Sequence, residues 1–403
     1  MTDQPVREDQ QNGQAAAGVA DADGADTSAA VPALDLAQIK DYARVKRWCH
    51  LSGIAISVAY WVFWTAVAFS FVGWLDGFID NRWLGLLVTA GAMVGGSVLV
   101  GLPLDYYSSY VVEQRFKLSN QTPWTWLVFQ FKSWAVGGVL AVILVGGLYG
   151  AVWYAGPLWG VWLWIGLMVL SVVLAKLFPL VILPLFYPAT PLQKPELEQR
   201  LSELAGRAGM TITGVYNLGL SKDTKKANAM LAGLGATRRV YLSDTLVGTF
   251  DADQIAVVFA HELGHHVHRH IIKMIALSAA VTSVLVALFY WRLNPYAGSQ
   301  ADWTGAVAAF APVMLISTVY PLLIGPLTNA ISRHFERQAD WKALEMTDDP
   351  AAFRGAFELL TRMNLADPDP PRWEEILFDD HPATAKRIAM ATAYETARTS
   401  ARS

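Results

Sequence analysis

The sequence predicts an α-helical multi-pass membrane protein of about six transmembrane helices, with a small α+β domain built against them. Three observations carry that expectation. Of 403 residues, 54% are hydrophobic and only 16% charged, whereas soluble domains carry about 25% charged residues. The apolar residues are gathered into six runs that reach the roughly 18–20 residues needed to cross a hydrocarbon core. A long polar segment, 187–269, and the chain after Ser332 fall outside those runs.

Residues 1–36 are rich in Ala, Gly, Asp and Gln and lack apolar clusters. Such a stretch cannot offset its ordering entropy, so a disordered tail is expected. It has neither the basic start nor the apolar centre of a signal peptide. Cys49 is the only cysteine, which excludes intrachain disulfides and cysteine-rich zinc modules.

A transmembrane region with four spans is expected over 37–188, and a second region, 189–403, with two more. The spans centre on 51–75, 83–104, 134–154, 159–183, 272–291 and 306–327. Pro179 and Pro184 interrupt the fourth, and Pro312, Pro321 and Pro326 the sixth. Helix breakers survive in membranes where protein or water satisfies the freed backbone groups, so Lys176, Pro179, Pro321 and Asn329 are expected to face an interior rather than lipid. Trp74, Trp83, Trp134, Trp153, Trp159 and Trp291 fall at span ends, as an interfacial belt requires.

Basic residues orient the bundle. Lys40, Arg44, Lys46 and Arg47 precede the first span, and Arg115, Lys117 and Lys132 separate the second from the third. The connections after spans one, three and five hold only Arg82 and Arg292. Both termini and the polar segments are therefore expected on the cytoplasmic side.

Residues 260–270 read AHELGHHVHRH and contain five of the eight histidines. His261, Glu262 and His265 form H-E-x-x-H. On a helix, residues four apart share a face, so both histidines can hold one zinc while Glu262 takes a proton from water. Asp251–Trp291 is expected to be one continuous helix, which turns His266 and His270 away from that face. The bland alternative is a histidine-rich helix end at the membrane surface. A metzincin third ligand is ruled out, because it needs Gly at 268 and His at 271, where the chain has His268 and Ile271. NAISRHFERQAD (329–340) instead offers Glu336 and Asp340, four apart on a helix continuing the sixth span. One can bind metal and the other can accept the Nδ1–H of a ligand histidine. Taken alone, this segment also reads as a solvated amphipathic helix.

HELGHH followed by NAISRHFERQAD resembles the type I CAAX prenyl endopeptidase family of integral-membrane, gluzincin-type zinc metallopeptidases. SKDTKKANAMLAGLGATRRVYLSDTLV (221–247) is similar to that family's S-K-x-S-x-x-x-N-A-x-x-x-G segment ending in D-T-L. VVEQRFKLSNQT (111–122) is similar to its E-x-R-F-G-F-N-x-Q-T loop, and DDHPATAKRIA (379–389) to its H-P-x-x-x-x-R segment. Lys117-Leu118 and Asp223-Thr224 depart from the pattern.

The resemblance implies a gluzincin-type metallopeptidase domain on the cytoplasmic side and one zinc per chain on His261, His265 and Glu336. Glu262 is the implied general base, His381 the oxyanion donor, and Asp340 and Arg387 their support. Asn228 and Ala229 open a pair of short strands around Gly233-Leu234-Gly235, and an edge strand there can pair with an extended peptide. The alternative for Asn228 is an ordinary turn residue. Expected partners are a peptide or protein substrate, membrane-associated or cut near its carboxyl terminus, and membrane lipid. No nucleic acid is expected. A quality-control protease of the HtpX type shares the zinc geometry. A transporter leaves Glu262 between two ligand histidines without a reason, and the intact ligand set argues against an inactive scaffold.

Overall fold

The computed structural model describes residues 35–233, 238–298 and 302–402. The expected tail lies, apart from Asp35 and Leu36, outside the described residues. Six helices long and apolar enough to cross a membrane are present among the described residues. α1 is Leu36–Asp76. α2 (Arg82–Tyr106) passes through a π-helical turn, Tyr107–Val111, into α3 (Val112–Arg115), and α4 is Pro123–Tyr154. α5 (Trp159–Leu177) runs through a second π-helical turn, Phe178–Ile182, into α6 (Leu183–Phe186). Pro179 lies in that turn. It has no N–H to return to the carbonyl four residues back, and the widened turn absorbs the break.

The helices outrun the hydropathy that announces them. α1 begins at Leu36 rather than near residue 51, and α4 at Pro123 rather than near 134. Capping decides the start of α4. The Thr125 N–H donates to Thr122 Oγ1 (3.1 Å), the Thr122 N–H donates to Thr125 Oγ1 (2.8 Å), and Pro123 takes the first helical position.

The small domain begins with β1 (Ala189–Pro191), α7 (Pro195–Arg207), β2 (Val215–Leu218), β3 (Ala229–Ala232) and β4 (Arg239–Ser243). The order across the sheet is β1-β2-β4-β3, with β4 parallel to β2 and antiparallel to β3. Ala229 pairs with Leu242 and Ala232 with Arg239, so the expected pair of strands is present and β3 is an edge. Val240, Tyr241 and Leu242 are buried, whereas β3 is only half-buried. α7 buries Leu197, Leu201, Leu204 and Ala205, an apolar stripe of helical period.

α8 (Asp244–Thr249) leads into α9 (Ala252–Val267), whose start is locked by reciprocal bonds. The Gln254 N–H donates to Asp251 Oδ1 (2.8 Å) and the Asp251 N–H to Gln254 Oε1 (3.2 Å). α10 (His270–Leu293), α11 (Trp303–Ala308), α12 (Phe310–Thr347), α13 (Pro350–Asn364), α14 (Arg372–Leu377) and α15 (Thr384–Arg402) complete the fold. The expected single rod from Asp251 to Trp291 is not formed. α9 stops at Val267, and Arg269 adopts a left-handed backbone with φ 55° before α10 starts. Hydrophobic periodicity persists through a one-residue reversal, so the pattern cannot register it.

The sixth span behaves as expected. α12 carries Pro321 and Pro326 and still runs unbroken from the membrane segment to Glu336 and Asp340. The Pro179 carbonyl accepts from Tyr241 Oη (3.4 Å), and Asn329 Nδ2 donates to the Leu377 carbonyl (3.0 Å), so both face protein. The main apolar core joins Trp61, Met93, Tyr149, Trp153, Trp159 and Phe310 with the alanines of α11. Its α10 members are Val286, Phe289 and Leu293. At 1.5 Å per residue they lie roughly 25–35 Å along the helix from His270. The membrane bundle is therefore held together chiefly at the end remote from His270.

α9 lies along α12 at a spacing only glycine permits. A Cβ on Gly264 would stand 2.8 Å from Ala339 Cα and 2.9 Å from its carbonyl oxygen. Gly264→Ala is expected to overpack this crossing at a cost of about 1–3 kcal/mol, lowering the melting temperature in detergent. Gly137→Ala, where an added Cβ meets nothing within 4 Å, serves as the control. Equal melting of the two variants would show that the crossing relaxes freely.

Candidate metal centre

α9 presents His261 and His265 on one face, and α12 presents Glu336 and Asp340 opposite them. His261 Nε2 lies 3.2 Å from His265 Nε2 and 3.2 Å from Glu336 Oε2, and His265 Nε2 lies 3.3 Å from Glu336 Oε1. Ligand atoms about 2.0–2.1 Å from a tetrahedral zinc sit roughly 3.3 Å apart. Glu336 thus turns one carboxylate oxygen toward each histidine nitrogen, at separations close to those between ligands of a single ion. Glu336 Oε2 is buried without a partner in hydrogen-bonding geometry, a costly state for a carboxylate oxygen unless a cation meets it. The donor set fits a metal. Among the described residues, this is the group of three or more such side chains able to hold one.

The surroundings fix how each ligand is turned. His261 Nδ1–H donates to Asp340 Oδ1 at 2.8 Å, leaving the Nε2 lone pair toward the other donors. Asp340 is fully buried, and its charge is met by Arg387, which donates through Nε to Oδ2 (2.8 Å) and through its terminal nitrogen to Oδ1. Arg387 stacks on the Phe357 ring at 3.8 Å. Burial, which would lower His261, is outweighed by its bonds to Asp340 and Glu336, and it is pushed up to about 9. The pocket attracts positive charge, whether proton or metal ion.

Glu262 follows His261 on α9, is half-buried, and has no ion pair or hydrogen bond among the described residues. A carboxylate left free beside the ligand set is available to accept a proton. His381 Nε2 lies 3.5 Å from Glu336 Oε2, and His381 Nδ1 is 2.6 Å from Asp380 Oδ1. The bond to Asp380 raises His381 above its ordinary value against opposing burial, and Glu336 adds to the rise. That favours the doubly protonated, donating ring.

Asn228 and Ala229 are not hydrogen-bonded to this cluster among the described residues. Asn228 enters the edge strand β3, which packs on α9, and its backbone N–H and C=O are both taken by Ser243 (3.0 and 2.9 Å). The approach to β3 is anchored by the 111–122 loop. Lys225 N–H donates to the Leu118 carbonyl (2.8 Å), and Glu113 accepts from Tyr42 (2.7 Å) and pairs with Lys226 (2.9 Å). Two of the segments that carry the family resemblance, 111–122 and 221–247, are thus joined directly.

His270 departs from expectation. A continuous helix would have turned it away, but the reversal at Arg269 brings its Nδ1 to 3.1 Å from His265 Nδ1. His266 stays apart from the ligands, and burial, with Arg238 and His265 beside it, pushes it down to about 4. His268 stacks on His270 (5.4 Å between centroids). Gly264, Phe357 and Gln338 also belong to the surroundings of the centre. None had a sequence signal, because each acts through a crossing or a contact between distant segments.

The chain is similar to known peptidases along most of its length. Residues 191–395 match peptidase family M48, and residues 25–188 match the region described as the CAAX prenyl protease N-terminal, five membrane helices. An uncharacterized metalloprotease of Bacillus subtilis, YhfN, is 27% identical, covering 93% of this chain and 89% of its own. CAAX prenyl protease 1 of Saccharomyces cerevisiae is 28% identical over 74% of this chain and 70% of its own. The crystal structure of S. mikatae Ste24p superposes with a TM-score of 0.73 at 24% identity, covering 88% of this chain and 87% of that one, and establishes the fold.

Glu336→Ala should abolish most metal binding, read as metal content by elemental analysis of protein purified in detergent. Asp340→Asn should weaken affinity about 10–100-fold by loosening His261. Full metal content in Glu336→Ala would remove Glu336 from the ligand set.

Proposed function

The chain belongs to peptidase family M48, and on that premise we infer that it is a membrane-embedded zinc endopeptidase with zinc held by His261, His265 and Glu336. The observation that carries this reading is the convergence of His261 Nε2, His265 Nε2 and the two carboxylate oxygens of Glu336, with separations of 3.2, 3.2 and 3.3 Å, within reach of one ion. Bound zinc supplies a Lewis acid that polarises the scissile carbonyl and acidifies water. Glu262 takes the proton from the attacking water and passes it to the leaving amine. His381 Nε2–H donates to the oxyanion as it develops; one such donor is commonly worth about 2.7–4 kcal/mol. Asp340 and Arg387 hold His261 in the tautomer that leaves Nε2 free.

The substrate binds in extended form along the free edge of β3, entering beside Asn228 and Ala229. Strand addition there satisfies its backbone groups while the scissile bond reaches α9. The site lies on the cytoplasmic side. Supporting this, the basic stretch of α1 sits at the same end as the metal centre: Arg47 pairs with Glu374 of α14, and Lys46 with Glu113 at 3.2 Å. Positive flanks mark the cytoplasmic face of a membrane bundle. A membrane-associated polypeptide is therefore the substrate class, and the match over 25–188 favours a type I CAAX protease plan over the HtpX type.

Glu262→Gln keeps the size of the side chain but cannot take the proton. Zinc content should stay at the wild-type level while kcat for a quenched fluorescent peptide falls about 10²–10⁴-fold. Turnover retained within a few-fold of wild type would end the general-base assignment.

A further inference from the structure

We propose that His270 and Gln338 are positioning residues that hold the metal ligand His265 in its binding tautomer. This rests on the reading of His265 as a zinc ligand, and the contact pattern itself carries it. His265 Nδ1 and His270 Nδ1 are 3.1 Å apart, and His270 Nε2 is 2.9 Å from Gln338 Oε1. His270 is 2% exposed, and its ring stacks on Phe335 at 4.3 Å and 11°. It cannot swing away or trade its partners for water.

Two facing ring nitrogens can share only one hydrogen, and the far end of the relay decides which of them carries it. Gln338 turns its carbonyl Oε1 rather than its NH2 toward the ring, and in that orientation it accepts, so His270 Nε2 carries a proton and the neutral ring presents a lone pair at Nδ1. That lone pair requires a proton on His265 Nδ1. The remaining nitrogen of His265, Nε2, is then unprotonated, and it is the atom facing His261 Nε2 and Glu336. The reverse order of protons would place a hydrogen on Nε2 and close the site to a cation.

The arrangement gives each ligand histidine its own acceptor from α12. His261 uses the carboxylate of Asp340 directly, whereas His265 uses Gln338 through an imidazole. The relay exists only because Arg269 takes a left-handed backbone, disfavoured for a residue with a Cβ. A continuation of α9 would carry position 270 away from His265. The reversal thus places a second histidine behind the first, at the point where the catalytic helix meets the membrane helix.

The test uses the full chain in detergent, with zinc alone as the probe and chelator competition as the readout. His270→Phe keeps the ring and its stack on Phe335 but removes the acceptor, and should weaken zinc binding about 10–100-fold. His270→Asn restores an acceptor near the Nδ1 position and should recover affinity to within a few-fold of wild type. Gln338→Met leaves both rings in place and should weaken binding measurably, with a shift in the ligand-field spectrum of the cobalt-substituted protein. Wild-type affinity in His270→Phe overturns the proposal, as does an Asn variant as weak as the Phe variant, since packing would then explain both. If His270→Phe does not fold, unchanged affinity and spectrum in Gln338→Met overturn it instead. Zinc binding that survives Glu336→Ala would sink the ligand assignment itself. Dependence on Glu336 with indifference to His270 sinks only the relay.

Discussion

The backbone contact between Gly264 and Ala339 is the constraint on which the centre depends. Side chains of ordinary size would hold α9 and α12 at the usual 8–10 Å between axes. An added Cβ at 264 would meet Ala339 backbone at 2.8 Å, so here the helices are closer than a larger residue allows. That proximity lets short ligands from two helices reach one point. Without it, His261 and His265 would still share a face, and Glu336 and Asp340 would still share theirs, but the two faces would not converge at the spacing of a metal shell.

The charge arrangement follows from the same closeness. Asp340 and Glu336 are both buried, and an unpaired buried carboxylate is costly. Arg387 from α15 neutralises Asp340 and is itself sheltered against Phe357 of α13. Glu336 Oε2 meets Arg387 only at 3.9 Å and otherwise faces His261 Nε2 and His381 Nε2 at 3.2 and 3.5 Å. Arg387 thus compensates Asp340 closely and Glu336 only at a distance, which leaves Glu336 the carboxylate more open to a cation.

The membrane bundle and the peptidase domain are joined at two helices with opposite behaviour. α12 runs continuously from the membrane to Glu336 despite Pro321 and Pro326, so its carboxylates are fixed relative to the bundle. α9 is separated from α10 by the reversal at Arg269, which frees the direction of α9 from that of the membrane helix below it. One ligand helix is therefore an extension of the bundle, and the other is set by packing on α12 and on the sheet. The main apolar core of the bundle gathers around α11, far from the histidines, while at the site end a smaller apolar cluster of Ile39, Tyr42, Val112, Phe116, Leu118 and Leu365 joins α1 to the segment that carries Glu113.

The sequence by itself determined the membrane class, the six spans and the residues that gather in the candidate centre, since length of apolar run, H-E-x-x-H spacing and the Glu336/Asp340 pair are all local patterns. Periodicity along one segment records which residues share a face, and metal chemistry requires shared faces. It could not record the end of α9 at Val267, because one left-handed residue leaves the hydrophobic pattern on both sides intact. Nor could it reveal that His270 turns back to His265, that Gln338 stands behind it, or that Gly264 is required by Ala339. The last two relations join positions about seventy residues apart in the chain, such as His270 and Gln338, and the first turns on the single reversal at Arg269. Only the packing of α9 against α12 decided them, because contact between distant segments depends on the distance and angle of the crossing, which no local pattern encodes.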